Sequence, residues 1–172
     1  MWLLLTVYYV VVVQRMTPPP SETREREAAS AAAFVPMSAA DIRMLTVEAQ
    51  GLTLRARRGN NRWEVLEPTG AQVPPDLLEA IVTSLVNVPT VDVVNTGGAA
   101  TPDTEFGFDR ATARVTIDDG TAPVTVVLGA RNPPQTAIYA RRAGTPDIVL
   151  LGLNVQYYVD LAIETLRRRS SE

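Results

Sequence analysis

The stretch RMLTVEAQGLTLR, Arg43 to Arg55, decides the fold. Met44, Thr46 and Glu48 alternate with Leu45, Val47 and Ala49; beyond Gly51, Leu52 and Leu54 alternate with Thr53 and Arg55. A period of two on both sides of a glycine reads as two antiparallel strands joined by a tight turn, each with one apolar face. Gly59-Asn60-Asn61 makes a second turn, and Trp63, Val65 and Leu66 begin a third strand that Pro68 ends. Pro74-Pro75-Asp76 opens a helix in which Leu78, Ile81, Val82 and Leu85 recur at helical spacing. Glu79, Thr83 and Asn87 fall on its other face, Pro89 closes it, and a strand over Thr90 to Asn95 follows.

After the Gly97-Gly98 loop the same pattern returns. Ala113, Val115 and Ile117 alternate with Arg114 and Thr116, Asp118-Asp119-Gly120 turns, and Val124 to Leu128 is apolar enough for a central strand. A strand over Ala137 to Arg142, a turn at Gly144-Thr145-Pro146 and a strand over Asp147 to Leu151 lead to a last helix. Asn154 can cap that helix, Val155, Tyr158, Val159, Ala162 and Leu166 form its stripe, and Arg167, Arg168 and Arg169 suit its carboxyl end. The reading is α+β: two similar β-meander-plus-helix halves with antiparallel sheet, over about 42–95 and 105–169, within a domain at 39–172.

The amino-terminal residues are of another kind. MWLLLTVYYVVVVQ, Met1 to Gln14, has no formally charged side chain. It reads as a membrane anchor, with Trp2, Leu3, Leu4, Leu5, Tyr8, Tyr9 and Val12 facing lipid or its interface. At ~1.5 Å per residue its apolar run makes about 20 Å against roughly 30 Å of hydrocarbon, so it spans only by thinning the bilayer or stretching, the alternatives being a half-inserted helix or a segment buried in a partner protein. A signal peptide wants its positive charge before the apolar run, whereas the first arginine here is Arg15. Residues 15–38, with Thr17-Pro18-Pro19-Pro20 and then alternating charge, read as a tether.

Composition excludes more than it assigns. The 172 residues contain no Cys and no His, which removes disulfides, thiolate nucleophiles, Ser-His-Asp triads and imidazole ligands. A net charge of −3, with 16 basic residues, all Arg, scattered among 19 acids, points away from nucleic acid. Asp118-Asp119-Gly120 reads as a hairpin turn and not as a metal loop, and Gly129 to Pro134 as a loop shaping an interaction surface. Trp63 and Tyr139 are expected in the core or half-buried; Tyr157 and Tyr158 should split between surface and core. Residues with the character of partner contacts are Pro18, Pro19, Arg131, Arg141, Arg142 and Tyr157. No cofactor, metal or catalytic residue is assigned.

RRGNNRWEVLEP at Arg57 to Pro68, FGFD at Phe106 to Asp109, VVLG at Val126 to Gly129 and AIYAR at Ala137 to Arg141 resemble a family catalogued as domain of unknown function 4340. The resemblance spans roughly Ile42 to Arg168, and its motifs are structural. It implies a domain held at a bacterial inner membrane by an N-terminal helix, on the periplasmic side, in a family some of whose members accompany ABC transporters of the gliding-motility type. Arg15, Arg24 and Arg26, read alone by the positive-inside rule, would leave the domain in the cytoplasm. The function expected is that of a non-enzymatic accessory or scaffold subunit. Its partners are the lipid bilayer and integral-membrane subunits of a larger complex, such as a photosynthetic reaction-centre and antenna complex. The alternative is a ligand-binding module of such a transporter.

Overall fold

The hairpin forms as its alternation dictates. In the computed structural model, which describes residues 34–60, 62–86, 93–94 and 103–169, β1 (Met44–Ala49) and β2 (Leu52–Gly59) pair in register from Met44 opposite Arg57 to Ala49 opposite Leu52. Gln50 and Gly51 make the turn with φ of 52° and 76°. Two consecutive left-handed residues give the turn whose twist matches the strands, and glycine takes such a φ without a Cβ clash.

The remaining elements are β3 (Arg62–Glu67), α1 (Pro75–Val86), β4 (Val93–Val94), β5 (Ala113–Asp118), β6 (Val124–Arg131), β7 (Ala137–Arg142), β8 (Ile148–Gly152) and α2 (Leu153–Arg169). The strands form one antiparallel sheet in the order β3-β2-β1-β5-β6-β7-β8-β4. The two meanders therefore meet at β1 and β5, where Val47 lies opposite Val115. The expected strand at Thr90–Asn95 is described only at Val93–Val94, and it pairs with β8 at the far edge. The first half thus contributes a strand to the second, and the halves share one sheet.

Period-two alternation sorts the sheet's side chains. Leu45, Val47, Leu54, Ala56, Val115, Ile117, Val126, Leu128, Ile138, Ala140, Val149 and Leu151 share one buried cluster with Leu78, Ile81, Val82 and Leu85 of α1 and Val155, Val159, Ala162, Ile163 and Leu166 of α2. Both helices therefore lie on one face. Pro75 starts α1, where its missing N–H costs nothing, and Asp76 complements the helix dipole. The helix α2 begins at Leu153, so Asn154, expected as its cap, stands inside the first turn.

Phe34–Glu172 is one compact unit. Val35, at 1 % exposure, and half-buried Phe34 and Met37 pack into the core, so the end of the segment read as a tether belongs to the domain. The proposed anchor residues Trp2, Leu3, Leu4, Leu5, Tyr8, Tyr9 and Val12, with Pro18 and Pro19, lie outside the described residues. Among the described residues no helix is long and apolar enough to cross a membrane.

Candidate functional site

On the face away from the helices, the segment Asp103 to Thr112 crosses β6, β7 and β8. Phe106 and Phe108 are buried there against Val127 and Ile148, with Ala111 and Tyr139 packed around them. Phe106 meets Tyr139 edge-on at 4.8 Å between ring centroids. The backbone approaches closely: Ala130 N–H donates to the Phe106 carbonyl at 2.8 Å, above Gly129, which has no side chain to intervene. Gly107 has φ of +73°, and a Cβ there would lie 2.7 Å from that of Ala130. FGFD, VVLG and AIYAR, apart in sequence, are thus one packing unit.

Arg141 fastens this unit. Its Nη1 and Nη2 donate to Asp103 Oδ1 and Oδ2 at 2.5 and 2.8 Å, and its guanidinium lies 4.6 Å from the Phe108 ring centroid. Two parallel bonds and a cation over an aromatic face suit arginine and not lysine. The hydrogen bond from Arg141 holds the Asp103 carboxyl below the ordinary 3.8. A depressed carboxyl pKa stabilises the fold above the unfolded-state value and ceases to do so as pH falls through the folded-state value. Asp103→Asn is therefore expected to melt below wild type at pH 7, with the gap narrowing as pH falls below about 4; thermal melts over falling pH check it, and a gap that does not narrow contradicts it. Beside the unit lies a cleft of about 430 Å³, with Thr104, Asp109, Arg110 and Thr112 over Gly129 and Ala130.

Where β6 ends, Arg131, one of the expected contact residues, reaches α2. The strand β6 runs on to Arg131, so Gly129 to Arg131 is strand where a loop is expected. Asn132 closes the turn after it, its buried Oδ1 accepting from Thr136 and Ala137 N–H at 2.9 and 3.0 Å. Arg131 Nε donates to Gln156 Oε1 at 2.8 Å. The next residue, Tyr157, is 62 % exposed, while Tyr158 packs on the main core. Burial pushes the Asp160 carboxyl up, with Arg131 opposing. Arg142 is half-buried in β7, and its carbonyl accepts from Thr145 N–H and Oγ1 at 3.1 and 2.9 Å. Arg141 is a fastener within the domain, whereas Arg131 is tied to α2 through Gln156 and Tyr157 stands exposed.

Asp118 and Asp119 close their turn, accepting from Gly120 and Thr121 N–H at 2.7 and 2.8 Å. Among the described residues no three metal-ligating side chains converge.

A third cluster is absent from the expected contacts. Arg58, its side chain 12 % exposed, pairs with Glu79, donates to the Ala39 carbonyl at 2.8 Å and lies 4.6 Å from the centroid of Trp63. Trp63 Nε1 donates to Glu79 Oε2 at 2.8 Å. The one signal in the sequence is an acid on the exposed side of α1, three residues beyond Asp76.

Residues 100–171 match the family described as Domain of unknown function (DUF4340). That range contains FGFD, VVLG and AIYAR, and the chain resembles the family there; RRGNNRWEVLEP lies outside it. No curated protein matches the chain, and no solved structure does.

Proposed function

We propose that this chain, built over residues 100–171 like a domain of unknown function, is a non-enzymatic accessory subunit that Met1 to Gln14 hold at a bacterial inner membrane. Its partners are integral-membrane subunits of a larger assembly, a photosynthetic reaction-centre and antenna complex being one such assembly. The domain lies on the periplasmic side. The observation that carries this reading is Tyr157, an aromatic ring left 62 % exposed on a helix whose other apolar side chains are buried or half-buried, next in sequence to the residue that holds Arg131. Tyrosine and arginine are, with tryptophan, the side chains enriched among residues that dominate binding energy. Two ionic contacts elsewhere in the described domain, Arg141 with Asp103 and Arg58 with Glu79, join structural segments to one another, which favours a subunit that is held and holds over one that turns over substrate.

The test is co-purification of the tagged full chain from gently solubilised membranes. Integral-membrane partners should come with it stoichiometrically. Tyr157→Ala should weaken their retention by about 2 kcal/mol, some thirtyfold in Kd, with an unchanged melting temperature. A full chain that elutes alone and monodisperse contradicts the proposal.

The second reading, a ligand-binding auxiliary module of an ABC transporter of the gliding-motility type, is favoured by the cleft at Thr112 and Gly129. It requires a small molecule whose binding is lost on filling that cleft, as with Thr112→Trp.

A further inference from the structure

Among the described residues β3 ends the sheet, and the direction of its backbone groups follows from its neighbour. Arg58 N–H donates to the Arg43 carbonyl at 2.7 Å, so the backbone of Arg58 faces β1. Arg58 lies opposite Trp63, and Ala56, two residues away and facing the same side, lies opposite Val65. In an antiparallel ladder such pairs exchange no bonds. The N–H and C=O groups of Trp63 and Val65 therefore point away from the sheet, while Glu64 pairs with Arg57. Four backbone groups at strand spacing are matched in full by another extended backbone.

Beside this edge, between β3 and the start of α1, is a pocket of about 260 Å³ lined by Arg58, Arg62, Trp63, Pro75, Asp76 and Glu79. Trp63 points to the helix side of the sheet, and so would the residue paired with it on an added strand, above this pocket. Arg58 and Trp63 both donate to Glu79 Oε2, which leaves Glu79 Oε1 and the Asp76 carboxylate as acceptors.

We propose that the open edge of β3 takes up an extended segment of a partner protein as a ninth strand, with a hydrogen-bond-donating side chain of that segment seated in the pocket. A second copy of this chain fits poorly in the one register that pairs all four groups of both copies. The symmetric register in which Trp63 and Val65 exchange bonds with one another sets Glu64 opposite its own copy, and like charges directly opposite destabilise a sheet. The edge is also short, bounded by a register shift opposite Arg55 and Ala56 and by Pro68. Such features oppose open-ended association but admit a segment of a few residues. This surface is separate from Arg131 and Tyr157, and the proposal stands whether or not those residues hold a partner.

The experiment uses the full chain, amide hydrogen exchange, and eight-residue peptides selected from a displayed random library. In the free chain, Trp63 and Val65 amides should exchange fast and the Glu64 amide slowly. Selected peptides should carry a basic or amide side chain at one position and slow exchange at Trp63 and Val65 by more than about tenfold. Val65→Pro removes one outward N–H without touching the internal ladder, and should weaken them about tenfold. Asp76→Asn, which leaves the strand intact, should shift the side chain selected at that position. The proposal is overturned if both amides are already slow in the free chain, if they slow only with rising protein concentration, which assigns the edge to a second copy, or if selected peptides bind Val65→Pro equally well.

Discussion

Gly129→Ala is expected to cost about 3 kcal/mol and to lower the melting temperature by roughly 10 °C, because the space a Cβ needs is already filled. A Cβ on Gly129 would stand 2.3 Å from the Phe106 carbonyl oxygen and 3.0 Å from Phe108 Cε1. The carbonyl cannot swing aside, since it accepts the Ala130 N–H at 2.8 Å. Relief requires lifting the crossing segment, which exposes Phe106 and Phe108, now 6 % and 5 % accessible, and pulls Asp103 from Arg141. Gly59→Ala is the control. Gly59 sits in β2 with open space where its Cβ would be, so the change should stay within about 0.5 kcal/mol. Denaturant melts of both variants decide the matter; equal midpoints would mean that Gly129 is not held by this contact.

The contrast between those glycines shows how far the sequence could be read. The strands at Met44 to Ala49 and Ala113 to Asp118 and the helix at Pro75 to Val86 were legible, because each carries its own period and buries the residues that period selects. Those are local facts. The joining of β1 to β5 and the pairing of β4 with β8 are long-range choices among strands of similar pattern, and no single stretch encodes them. FGFD falls between: Phe106 and Phe108 alternate like strand residues, yet they form a cover, since they are satisfied by the outer faces of Val127, Tyr139 and Ile148 and not by a ladder. The contact residues divide by the same logic. Tyr157 was legible as surface because it falls outside the stripe of α2. Arg141 was not legible as a fastener, because Asp103 lies 38 residues away and the pairing depends on the whole sheet.

Arg58→Ala is expected to cost about 3 kcal/mol, although arginine in a strand near a sheet edge ordinarily contributes little. Its guanidinium joins three separate pieces of chain: α1 through Glu79, the segment before β1 through the carbonyls of Ala39 and Ala40, and β3 through the Trp63 ring. Removing it takes the donor from the part-buried Ala39 carbonyl, while the exposed Ala40 carbonyl turns to water, and uncovers one face of an indole only 6 % accessible. Glu79 keeps the Trp63 N–H and, with its side chain 46 % exposed, regains water, so the loss stays below that of a fully buried pair. Arg58→Met separates the contributions. The thioether stem restores contact with the ring but none of the donors, and should recover about 1 kcal/mol. Glu79→Gln, which retains an acceptor for the Trp63 N–H, should cost about 1 kcal/mol alone and add little to Arg58→Ala, since the two changes remove the same interaction. Fully additive losses in urea would show that arginine and glutamate act apart, and that the indole, not the ion pair, fastens α1 to the edge of the sheet.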